Sequence, residues 1–150
     1  MEFYEIVVAF HVIFSGIWLA GFITDYIFRK KMFYRKDLIP VYLTFSNLTG
    51  MVASTGILLT GIYLVSASGN YHFFQMDGNH WLTTKQIIFV VLLVLIFTGI
   101  IPAAKKVKNS LDDGSGDVSE KTSLLLKKLL KLTAIMNILV LINFILALIR

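Results

Sequence analysis

The sequence predicts an all-α integral membrane protein, a four-transmembrane-helix antiparallel bundle with both termini outside. Three observations carry that expectation. Hydrophobic residues make up 57% of the 150 and charged residues only 15%, with a mean hydropathy of +0.77, whereas a soluble chain is about one quarter charged. Four apolar runs are each long enough for a helix to cross a bilayer, which takes about 20 residues. The basic residues are gathered between particular runs rather than spread along the chain. The same composition excludes disorder, whose signature is low hydrophobicity. The absence of cysteine removes disulfides, thiolate metal sites, iron–sulfur clusters and cysteine nucleophiles.

The predicted spans are residues 6–28, 41–65, 81–104 and 129–149. Backbone amides cannot go unpaired in lipid, so each run must be helical, and no strand-like alternation argues for a barrel. The first span is too long for a cleavable leader, has no basic segment before it, and is followed by Arg29, Lys30 and Lys31 rather than by small residues. The third has an uninterrupted apolar stretch from Ile87 to Val94. Between spans three and four, residues 109–117 read as a solvated loop, with Asp117 or Ser119 capping the helix that follows. No internal repeat is evident.

Charge sets the expected orientation. Residues 29–40 hold Arg29, Lys30, Lys31, Arg35 and Lys36, and residues 105–131 hold Lys105, Lys106, Lys108, Lys121, Lys127, Lys128 and Lys131. Only Lys85 and Arg150 fall near the other end. The positive-inside rule makes both basic segments cytoplasmic and sends both termini and residues 66–80 outward, in a multi-pass protein of the cell membrane. The net charge of +5 therefore reflects snorkelling and anionic lipid, not nucleic acid, for which the loops offer no base-stacking platform.

Ionisable residues inside membrane helices are costly and carry functional hypotheses. Span one holds His11 and Asp25, and span three holds Lys85. On a helix Ser15, Trp18 and Asp25 lie within about 40° of His11, so one polar and aromatic stripe must face the bundle. Gly16 and Ala20 form a small-xxx-small pair on another face. In span two, Asn47, Ser54 and Gly61 recur every seven residues beside Gly50, suggesting a second small, polar seam. Four helices with such seams can enclose a flat cofactor. His11, Lys85 and Asn143 all fall in the outer half, with His72 and His80 just above.

Each residue has more than one reading. His11 is a haem-iron ligand, a structural interhelical hydrogen bond or a proton relay. Lys85 snorkels to the outer surface or pairs with a carboxylate such as a haem propionate. Asp25 pairs with Arg29 at i+4. Trp18 packs or touches a cofactor, and Asn47, Asn137 and Asn143 join helices. His80, at the mouth of span three, can reach down as a second iron ligand. Residues 72–80 also space His72, Met76 and His80 by four, a donor set that suits copper, although Gly78 argues against one continuous helix there. There is no Ser/His/Asp constellation with readable spacing, no HExxH, no glycine-rich phosphate loop and no carboxylate pair.

Span one reads His11-Val-Ile-Phe-Ser-Gly-Ile-Trp18-Leu-Ala20-Gly21, and span three opens Trp81-Leu82-Thr-Thr-Lys85. A histidine, a tryptophan seven residues on, W-x-A-G, and a later W-L-x-x-K resemble the HemJ-type protoporphyrinogen oxidases and, more loosely, the copper-resistance D-type membrane domains. The resemblance implies a small four-span b-haem protein with His11 as haem-ligand candidate and Lys85 as the matching span-three lysine. Phe22 to Tyr26 stand where that family has a Pro-Arg pair and a further histidine, which implies a divergent member.

The resulting expectation is a haem-b-binding membrane redox protein, oxidising a porphyrinogen or passing electrons to a quinone. Its cofactor-binding residues would be His11, Ser15, Trp18 and Lys85, and the iron ligands His11 and, second, His80. Copper handling through residues 72–80 and a cofactor-free accessory subunit are the alternatives. The expected partners are the bilayer and a small hydrophobic substrate, with further copies of the chain as one option.

Overall fold

The computed structural model describes residues 2–32, 34–76, 80–112 and 120–149. Helix α1 spans Phe3–Met32, α2 Leu38–Ala67, α3 His80–Leu95, α4 Ile101–Asp112 and α5 Glu120–Leu148. A π-helical turn, Ile96–Ile100, joins α3 to α4, so the two form one rod. There is no strand among the described residues. Four rods, α1, α2, α3–α4 and α5, are long and apolar enough to cross a membrane, as the sequence predicts.

Each rod outruns its predicted span. A 30-residue helix such as α1 is about 45 Å long at 1.5 Å per residue, against about 30 Å of hydrocarbon, which leaves enough length for its last turn to reach the headgroup level. That turn carries Arg29, Lys30 and Lys31, which also suits the negative end of the helix dipole. Pro40 sits in the first turn of α2, where a missing N–H costs nothing. At the other end Gly69, with φ 65°, stops α2 in the left-handed conformation that lacks a Cβ penalty. Pro102 explains the π turn. It has no N–H for the Thr98 carbonyl and its ring crowds that group, so the helix widens just before it.

Helix α4 runs to Asp112, so residues 109–112 are helical rather than loop. The proposed caps Asp117 and Ser119 lie outside the described residues.

The packing order explains which faces are polar. Helix α1 packs chiefly on α2, and α3–α4 on α5; the two hairpins meet along α1 and α5. Among the described residues no Cα of α1 comes within 8 Å of one in α3. Gly56 makes the tight crossing of α1 and α2, because a Cβ there would run into the Phe14 ring. The inner end is filled by Met32, Ile39, Tyr42, Ala103, Val107 and Leu129. The middle is filled by Trp18, Ala53, Leu92 and Val140. Toward the outer end the buried residues among those described are Gly56, Thr83 and Val140.

One expected seam falls elsewhere and the other holds only in part. Gly16 and Ala20 are exposed, and a Cβ on Gly16 would meet nothing within 4 Å. On α2 Asn47 is exposed while Gly50, Ser54 and Gly61 are half-buried, and Gly61 faces His11; the fully buried face runs through Tyr42, Ala53 and Gly56, with Ala53 one residue, about 100°, before Ser54. A seven-residue repeat finds small residues but drifts about 20° per repeat on a straight helix, so it cannot fix the buried face alone.

Both basic segments flank one end of the bundle, and the 66–76 segment and the termini the other. The orientation in the membrane is checked by labelling. The chain has no native cysteine, so Ser68→Cys and Tyr34→Cys give clean single sites. An impermeant thiol reagent on intact cells should modify Cys at 68 and spare Cys at 34. The reverse pattern would invert the topology.

Candidate functional site

Two polar centres lie along the inward stripe of α1, one in the outer half and one near the inner end. The outer centre is built on His11, which is half-buried. Its Nδ1 lies 2.7 Å from Oγ1 of Thr60 on α2. The Thr60 hydroxyl donates its single proton to the Gly56 carbonyl, 2.6 Å away, so Oγ1 accepts from His11 Nδ1–H. That bond fixes the neutral tautomer whose Nε2 carries the lone pair. Nε2 has no hydrogen-bond partner among the described residues. One face of the ring is closed by α2, where a Cβ on Gly61 would lie 3.5 Å from His11 Cε1.

Lys85 is on the first turns of α3, half-buried, with its ammonium 5.8 Å from the Trp81 ring centroid. His11 and Lys85 thus both lie in the outer half, on helices that do not touch at the backbone among the described residues. Ser15 is half-buried but donates to the His11 carbonyl at 2.8 Å, within its own helix. Trp18 lies a further turn inward, 5% exposed, edge-to-face with Phe89 of α3 at 6.2 Å. Its Nε1–H is buried without a partner among the described residues, as are Gln86 Nε2 and Asn143 Oδ1.

His80 opens α3 and is exposed, as are His72 and Met76. Residues 77–79, with Gly78, lie outside the described residues. Thr83 pins the preceding segment by donating to the Gln75 carbonyl, and the Phe74 N–H donates to Gln86 Oε1 at 2.7 Å. Among the described residues no three His, Asp or Glu side chains cluster as a metal site.

The inner centre is built on Asp25. The expected pair forms, with Arg29 Nε 2.6 Å from Asp25 Oδ2. The rest of its shell is not readable from local spacing. The Tyr42 hydroxyl donates to Oδ1 at 2.5 Å and Asn137 Nδ2 to Oδ2 at 3.1 Å. Arg29 Nη2 donates to Thr133 Oγ1 at 2.7 Å and to the Leu130 carbonyl at 2.5 Å. One carboxylate therefore ties α1 to α2 and α5. A cavity of about 30 Å³, bounded in part by Trp18, Asp25, Tyr42 and Asn137, sits beside it; that is room for a water, not a haem.

Sequence reasoning misses Thr60 and Tyr42. The signal was depth. In an antiparallel hairpin, His11 and Thr60 lie equally far inside the outer limits of spans 6–28 and 41–65, and Asp25 and Tyr42 both lie just inside the inner limits.

Comparison with protein-family models, with curated proteins and with solved structures finds no match to this chain.

Proposed function

We propose that this four-helix membrane protein binds haem b in its outer half and serves in redox chemistry. The observation that carries the reading is the His11–Thr60 hydrogen bond. Iron-ligating histidines characteristically donate the other ring N–H to an oxygen, which fixes the tautomer and raises ligand basicity. His11 has that arrangement, with Nε2 left as the available donor atom. Three further observations support it. Among the described residues few are buried toward the outer end, α1 and α3 make no backbone contact, and Lys85 lies near the outer end of α3. The resemblance of the His11–Gly21 and Trp81–Lys85 segments to HemJ-type proteins points the same way.

In this reading His11 supplies the proximal ligand and Thr60 holds its ring. Lys85 offers a cation to a propionate, and Trp18 with Phe89 closes the pocket toward the middle of the bundle. Bound haem would supply one-electron chemistry, while the chain supplies ligation, charge and exclusion of water. Porphyrinogen and quinone are the substrate classes that a haem held at this depth would meet in the bilayer.

Thr60→Val tests the arrangement. It keeps the shape but removes the acceptor for Nδ1–H, and loss of such a partner typically costs 10–100-fold in affinity. Haem titration should therefore show at least about tenfold weaker binding than wild type. Equal affinity would mean that Thr60 does not orient a ligand.

A further inference from the structure

The elbow between α1 and α2 forms a groove of about 410 Å³ lined by Ile27, Phe28, Lys31, Tyr34, Arg35 and Leu38. We propose that this groove is a binding site for an anionic phospholipid, its phosphate held between Lys31 and Arg35 and an acyl chain lying on Ile27 and Phe28.

The backbone fixes the arrangement. The Arg35 N–H donates to the Lys31 carbonyl at 2.9 Å and the Tyr34 N–H to the same oxygen at 3.0 Å. These two bonds to one carbonyl hold Tyr34 and Arg35 close to the Lys31 backbone. Ile27 and Lys31 share a face of α1 one turn apart, and with Arg35 they line one groove. Its lining runs from apolar to cationic, a passage from acyl region to headgroup. Ile27 is 46% exposed, an apolar surface that lipid would cover.

The charges are arranged for an anion. Arg35 spends Nε and Nη2 on Asp37, at 3.3 and 2.6 Å, and its hydrogen bond holds the Asp37 carboxyl below the usual carboxylate range. The pair fixes the guanidinium plane and leaves Nη1 for a phosphate oxygen. Lys31 adds a cation that has no ion pair among the described residues, and Tyr34, 92% exposed, stands at the rim as a further donor. Basic pockets beside membrane helices at this level are established lipid-headgroup sites in general. Here the apolar floor below the cations selects a lipid over a free phosphate.

The test uses the full chain in mild detergent. Native mass spectrometry would follow titration with phosphatidylglycerol, phosphatidylcholine or inorganic phosphate. Wild type should retain phosphatidylglycerol and release phosphatidylcholine. A basic residue near the surface contributes about fivefold to anionic-lipid affinity, so Lys31→Gln should weaken binding about fivefold and Lys31→Gln/Arg35→Gln about 25-fold. Lys105→Gln/Lys108→Gln, on the exposed face of α4, should stay within about twofold of wild type, with helical content unchanged in every variant. Equal losses from the two double variants would reduce the effect to general surface charge and overturn the site. So would equal retention of phosphatidylcholine, or displacement of the lipid by millimolar inorganic phosphate.

Discussion

Asp25→Ala should destabilise the bundle more than any other single polar substitution. Asp25 is 9% exposed and accepts from Arg29, Tyr42 and Asn137. Removing it leaves a cation, a phenol and an amide facing one another at the inner end. Breaking a buried pair from one side costs about 3–5 kcal/mol, because the surviving charge stays desolvated. Arg29 is 26% exposed at its side chain and lies near the headgroups, which places the loss at the lower end of that range. At about 2–4 °C per kcal/mol the melting temperature should fall by roughly 10 °C. Asp25→Leu/Arg29→Met removes both charges and should recover much of the loss, since replacing a buried pair by apolar side chains is often neutral. Tyr42→Phe deletes one hydrogen bond and should cost about 1 kcal/mol. Thermal unfolding in detergent, followed by helical circular dichroism, measures all three. A Asp25→Ala protein that melts with wild type would mean that this network does not hold α1 to α5.

His11→Ala should abolish or greatly reduce haem binding while leaving the protein inserted. The substitution removes the proposed iron ligand but only one interhelical hydrogen bond, that to Thr60. Such a bond contributes about 0.6 kcal/mol on average in a membrane interior. Insertion rests on four long apolar helices, so the variant should fold and reach the membrane. Exogenous imidazole should restore part of the bound haem by filling the vacated position. Lys85→Met should loosen haem without moving the bands that report axial ligation, because its proposed partner is a propionate rather than iron. Unchanged Soret and reduced-state α bands in His11→Ala would remove His11 as ligand.

Much of the architecture was legible because the bilayer allows so few solutions. Length and apolarity alone define the four rods, and the i,i+4 spacing of Asp25 and Arg29 finds their ion pair. The stripe His11, Trp18 and Asp25 does face inward on α1, since three polar or amphipathic side chains at helical spacing would otherwise meet lipid. The failures share one cause. Small residues such as Gly16 and Ala20 are compatible with both a helix contact and a lipid-facing surface, so their spacing cannot choose between them. Thr60, Tyr42 and Thr133 act through partners on other helices, and a threonine or tyrosine in an apolar run carries no mark of its partner. The π turn before Pro102 belongs to the same class. The proline is visible in the sequence, but whether the helix kinks, stops or widens is settled by packing around it.

The central claim is that the outer half of this bundle holds haem through His11. The absorption spectrum of the wild-type protein, purified in detergent from cells supplied with haem precursor, tests it most directly. The expected spectrum has a Soret band, a sharpened α band on reduction and, by pyridine haemochrome, about one haem per chain. A folded, monodisperse protein with no absorbance beyond its aromatic residues, even after incubation with free haem, would contradict it.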